Sequence, residues 1–115
     1  SGLLWIRGDM RKSAASTSFL KDMKSANMKV LGLLPWYKKS ALGWKDYVGE
    51  VVNANPPLDA YEISNEPEMS WWGGPISSGD YMQMLREAIA IIKKKNPDAI
   101  IVGPAVSATK EGVKY

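Results

Sequence analysis

The sequence predicts an α/β fold with a parallel sheet, on three observations. Short apolar runs alternate with amphipathic helical patterns, and turn residues mark each changeover, which is the βαβα rhythm. The runs Val30 to Leu34 and Ala99 to Val102 are apolar at both parities, as strands covered on both faces are. No low-complexity tract or long linker divides the chain, so residues 1–115 read as a single domain.

Each element has its own signal. The first strand is expected at Leu3, Leu4, Trp5, Ile6 and Arg7. A helix follows over residues 17–26, with Phe19, Leu20, Met23 and Ala26 on one stripe and Ser16 or Thr17 as cap. Asn27 suits a left-handed exit. The second strand spans residues 29–34 and ends at Pro35, which has no N–H to give a ladder. The second helix, residues 44–53, should bury Trp44, Tyr47, Val48, Val51 and Val52 before Asn55, Pro56 and Pro57 stop it. A third strand runs from Ala60 through Tyr61, Glu62 and Ile63 to Ser64. The third helix, residues 80–95, carries Tyr81, Met84, Leu85, Ala88 and Ile92 on one face, with Ser78 or Asp80 near its start. Asn96 and Pro97 close it, and Ala99 to Gly103 forms the last strand.

Composition narrows the chemistry. The chain has 115 residues, is 45% hydrophobic and carries a formal charge of +3. That charge, with Lys93, Lys94 and Lys95 at a helix C-terminus, is too mild and local for nucleic-acid binding and suits a helix dipole. With neither cysteine nor histidine there is no disulfide framework, thiolate metal site, His ligand or Ser-His-Asp triad, so acid/base work falls to carboxylates. No metal or cofactor is implied. No basic-then-apolar leader and no apolar run near about 18 residues appears, so no membrane partner is expected.

The most informative residues are Asn65, Glu66 and Pro67, which follow the third strand directly. A carboxylate and its amide neighbour where a buried strand passes into a loop occupy the position at which (β/α) barrels hold their chemistry. The stretch Tyr61, Glu62, Ile63, Ser64, Asn65, Glu66, Pro67, Glu68 resembles the fourth-strand signature of the clan A glycoside hydrolases. These are retaining (β/α)8-barrel enzymes that include cellulases, mannanases and xylosidases. The resemblance extends along the chain. Leu4, Trp5, Ile6 and Arg7 look like the family's second strand, whose arginine lies near the nucleophile. Asn27 to Leu31 with Pro35 and Trp36 look like its third strand and strand end. Trp44 to Val48 resemble the helix before the catalytic strand, and Lys95 to Ala99 with Val102 and Gly103 the passage into strand five.

On this mapping the chain is about half a barrel, strands two to five, with four parallel strands and three helices. It is less than half of a typical barrel of about 250 residues. Strands one and six to eight have no counterpart, and with strand seven the nucleophilic glutamate is missing. The implied chemistry is double displacement at an anomeric carbon. Glu66 would be the acid/base, with its pKa raised by an apolar wall or a like charge, and Asn65 would hydrogen-bond the sugar 2-OH. The resemblance therefore implies a fragment of a retaining glycosidase for β-linked carbohydrates, inactive alone. The alternative is a non-catalytic carbohydrate-binding or scaffold half-barrel.

Strand alternation adds an expectation independent of any family. If Glu66 points to the barrel interior, Ser64 and Glu62 share its parity. Glu62 is then an inward charge that needs a partner, and Arg7 is the available cation. Glu62 is thus structural, and Glu68, beyond Pro67, a solvated loop residue. Among the five tryptophans, Trp5 and Trp44 are expected to pack, whereas Trp36 and Trp71 follow strand ends and are candidates to line a sugar cleft with Asn65 and Arg7. A doubly wound nucleotide-binding domain would share the rhythm, but no Gly-rich phosphate loop follows any strand. Three crossover helices cover one face of a curled sheet, so the other face needs either a second copy of the chain or the missing half of the barrel.

Overall fold

The computed structural model describes residues 4–10, 16–35, 43–65, 67 and 75–104. Seven elements follow in order: β1 (Leu4–Asp9), α1 (Ser16–Ser25), β2 (Met28–Leu34), α2 (Trp44–Val52), β3 (Ala60–Ile63), α3 (Ser78–Lys95) and β4 (Ile100–Val102). The four strands form one sheet in the order β1-β2-β3-β4, all parallel. Parallel neighbours need crossovers, and three helices supply them. The order never reverses, so these strands contain no topological switch point of the kind at which doubly wound domains bind nucleotides. Sequential right-handed crossovers put every helix on the same face.

Register and burial identify that face. Val30, Leu34, Tyr61 and Ile63 are fully buried and belong to one apolar cluster with Leu20 of α1, Val48 and Val51 of α2, and Ala88 and Ile92 of α3. The opposite parity carries Trp5, Arg7 and Asp9 on β1, in register with Lys29, Leu31 and Leu33 on β2, then Ala60 and Glu62 on β3, and Ile100 and Val102 on β4. None of these joins the cluster. Ile100 and Val102 are 54% and 40% exposed. Apolar residues occupy both parities, as the sequence predicts; on this second face the inner-strand residues Leu33, Ala60 and Glu62 are buried, and exposure is confined to the edge strands β1 and β4 and to the start of β2.

Local chemistry sets the element ends. Asn27 adopts φ 58°, the left-handed exit expected after α1. The Oγ of Ser77, one residue ahead of α3, accepts from the Asp80 N–H at 3.0 Å, so this helix starts earlier than residue 80. Between α1 and β3, an Asp59 carboxylate oxygen accepts from the Val30 N–H at 2.8 Å and from the Lys24 ammonium at 2.5 Å. Gly32 is required by a close approach: a Cβ there would lie 2.4 Å from Leu58 and 3.0 Å from Met10, both buried.

Several expectations need correction. Strand β1 continues through Gly8 to Asp9 because its pairing with β2 persists to Asp9↔Leu33. Trp5 is not packed in the core: it is 47% exposed, on an edge strand and on the face opposite the helices, with the Lys29 ammonium 5.5 Å from its ring centre. Ala26 falls beyond the last turn of α1 and is exposed. Tyr47 is half-buried rather than buried. Tyr47 keeps its hydroxyl at the core edge, where it donates to the Met10 carbonyl at 2.6 Å.

Candidate functional site

The carboxyl ends of β1, β2 and β3 lie side by side, and Arg7, Glu62 and Asn65 meet there. Arg7 is level with Leu31, whereas Glu62 is level with Leu33 and, through it, with Asp9. The guanidinium therefore reaches across β2 and two residues forward. It arrives in a fork: Nε donates to one Glu62 carboxylate oxygen at 2.7 Å and Nη2 to the other at 3.0 Å. This is the bidentate geometry that suits arginine and a carboxylate. The Glu62 side chain is 6% exposed and that of Arg7 48%, so the buried acid is neutralised by a base that keeps its outer edge wet.

The same Nη2 donates to Asn65 Oδ1 at 3.4 Å. The structure thus brings Arg7 and Asn65 together, with Glu62 as the anchor. The pKa of Arg7 is raised, chiefly by its hydrogen bonds to Glu62; partial burial opposes this, and the charges of Glu62 and Asp9 add to it. Arg7 stays cationic throughout the working range. Asp9 was legible only if the alternation of β1 were carried past Gly8, which puts it on the Arg7 face.

What positions Asn65 is the turn out of β3. Ser64 has φ 65°, in the left-handed region that a non-glycine residue seldom adopts. Its N–H still donates to the Leu34 carbonyl at 2.9 Å, so the ladder to β2 persists to the bend. On the other side the Tyr81 hydroxyl of α3 donates to the Ile63 carbonyl at 2.7 Å, within the core. The sequence shows Tyr81 only as part of a packing stripe; its carbonyl partner is set by helix placement. Strict alternation ends at Ile63, so it does not carry the parity of Glu62 through to Glu66. Beyond the bend Pro67 is buried, and its carbonyl accepts from the Ile76 N–H at 2.7 Å. That bond ties the two ends of the segment in which Trp71 falls.

Glu66, Trp36 and Trp71 lie outside the described residues. Among the described residues no three His, Cys, Asp or Glu side chains converge on a point that could hold a metal ion, and no helix is long and apolar enough to cross a membrane. Comparison with protein families, with curated proteins and with solved structures returns no match for this chain.

One further titratable group is set apart on the helix side of the sheet. Tyr61 is fully buried, and among the described residues no group completes a hydrogen bond to its hydroxyl. Burial pushes its pKa up to about 12; the nearby Asn96 side chain opposes the shift, and the negative charge of Asp59 adds to it.

Proposed function

We propose that the chain is a half-barrel segment of a retaining glycoside hydrolase for β-linked carbohydrates, with Glu66 as its acid/base and Asn65 and Arg7 at the substrate side. The observation that carries this reading is the constellation Arg7–Glu62–Asn65 at the carboxyl ends of a sequential, all-parallel sheet, on the face opposite the helix-packed core. Barrels place their chemistry at that end of the strands and on that side of the wall. An arginine of β1 reaching a glutamate of β3 also suits a curled wall, in which alternate strands contribute to the same interior layer.

Under this reading Glu66, the residue after Asn65, protonates the leaving oxygen and later deprotonates water. Asn65 hydrogen-bonds the sugar beside the reacting carbon. The nucleophile, about 5 to 5.5 Å from the acid/base in a retaining enzyme, belongs to a strand this chain does not contain. The exposed Trp5, Ile100 and Val102 belong to the inner wall, which the rest of the barrel covers, or a second copy when the chain is alone.

Turnover of an aryl β-glycoside, measured together with binding of β-linked oligosaccharides, tests this reading. The chain alone should give none, and Glu66→Gln should change nothing. Clear hydrolysis abolished by Glu66→Gln would mean that another carboxylate of this chain serves as nucleophile. A chain that neither hydrolyses nor binds β-linked oligosaccharides would favour the scaffold half-barrel.

A further inference from the structure

The acid at the centre of the cluster has no part in double displacement as just described, yet it holds the only described cation that touches Asn65. Glu62 is 55 residues from Arg7 in sequence and takes both carboxylate oxygens to it. Arg7 in turn contacts the side-chain carbonyl of Asn65. Guanidinium has donors and no acceptor, so the atom of Asn65 that faces it is Oδ1. The Nδ2 donors are thereby turned away from Arg7. An asparagine held this way offers a ligand two N–H groups and must be met by an acceptor oxygen.

We infer that Glu62 is a positioning residue: it locks the Arg7 fork, and the fork fixes which end of the Asn65 amide is presented to the substrate. This rests on the glycosidase reading for the identity of the ligand, but not for the linkage itself. In Glu62→Gln, Arg7 keeps its charge, yet one arm of the fork loses its acceptor and meets an NH2 donor instead, so the long side chain gains rotamer freedom. The Asn65 amide is then free to flip. Its backbone stays where Ser64 and the Ile63–Tyr81 hydrogen bond put it, so the effect is on the amide and not on the fold.

The test uses the isotope-labelled chain as it exists and follows three side-chain NMR signals: Arg7 Nε–H, Asn65 Nδ2–H2, and the Trp44 indole N–H. The last bonds the Met84 carbonyl at 3.1 Å and reports on the core. In Glu62→Gln the Arg7 and Asn65 signals should both move while the Trp44 signal stays. An Asn65 signal that stays put while Arg7 moves would overturn the inference. If Glu62→Gln loses the Trp44 signal, Glu62→Asp decides on the same criterion, since it keeps the charge but cannot reach both donors. Titration with cellotetraose, mannotetraose and xylotetraose adds the functional arm. Binding of any of them by the wild type, weakened up to roughly tenfold in Glu62→Gln as for one neutral amide hydrogen bond, supports the inference. Equal binding by both forms overturns it and leaves the glycosidase reading intact. A moving Asn65 signal with no tetrasaccharide bound supports the positioning role and counts against the glycosidase reading.

Discussion

Arg7 and Glu62 are joined by two hydrogen bonds although their strands are not neighbours: β2 lies between them, and the guanidinium spans it. The pair is asymmetric in burial, and that asymmetry predicts unequal costs. Arg7→Ala leaves a carboxylate that is 6% exposed without its cation, whereas Glu62→Gln leaves an arginine already half in water. We expect Arg7→Ala to destabilise by about 2 kcal/mol and Glu62→Gln by about 1 kcal/mol, below the figure for a fully buried pair because water screens one partner. Urea denaturation of both variants measures the difference, and the reverse order would contradict the placement of Glu62.

The left-handed bend at Ser64 gives a second expectation. Glycine adopts φ 65° without strain, so Ser64→Gly should be neutral or stabilising by up to about 1 kcal/mol, whereas the β-branched Ser64→Val should cost about 2 kcal/mol. Thermal unfolding ranks the two. Ser64→Val should also displace the Asn65 amide signal, because the bend aims that residue.

The buried hydroxyl of Tyr61 predicts a pH effect whose sign is fixed. Its folded pKa, about 12, stands above the ordinary tyrosine value of about 10. Below about pH 10 both states hold the proton and the contribution to stability is complete; as pH rises toward 12 the unfolded state loses its proton first, and stability falls. One of the five tyrosines should therefore ionise late in an ultraviolet titration. Tyr61→Phe, which deletes a buried hydroxyl lacking a completed hydrogen bond, should remove that late step and stabilise by about 1 kcal/mol.

Exposed apolar residues on the edge strands predict self-association. Trp5, Ile100 and Val102 are exposed on one side of a sheet whose two edge strands, β1 and β4, have an open edge within the described fold. Light scattering of the chain alone should show mass rising with concentration, and a charged substitution at Ile100 should reduce it. A monomer at high concentration would show that this face tolerates water.

Element order and type were legible because apolar period and turn residues agree at every changeover. Asn27 gave away the exit of α1, and Asn55 to Pro57 the end of α2. The Arg7–Glu62 pair was legible too, from alternation and the need of an inward charge for a partner. Two kinds of feature were not. The exposure of Trp5 depends on which sheet face the helices cover and on β1 lying at an edge, and residue type carries neither fact. The break in alternation at Ser64 depends on a backbone angle that serine rarely adopts, so parity counted through it toward Glu66 had no physical support. The hydroxyl contacts of Tyr47 and Tyr81 depend on helix placement to within a hydrogen-bond length, which periodicity does not contain.

The proposed function requires a sugar-binding mouth at the carboxyl ends of these strands. Its most direct test is a backbone NMR titration of the chain with β-linked gluco-, manno- and xylo-tetrasaccharides. Shifts should concentrate at Arg7, Asp9, Leu34 and Asn65, at the strand ends where the Arg7 fork lies, for at least one sugar. No response to any of the three, or a response centred on the opposite ends at Leu4, Met28 and Ala60, would contradict it.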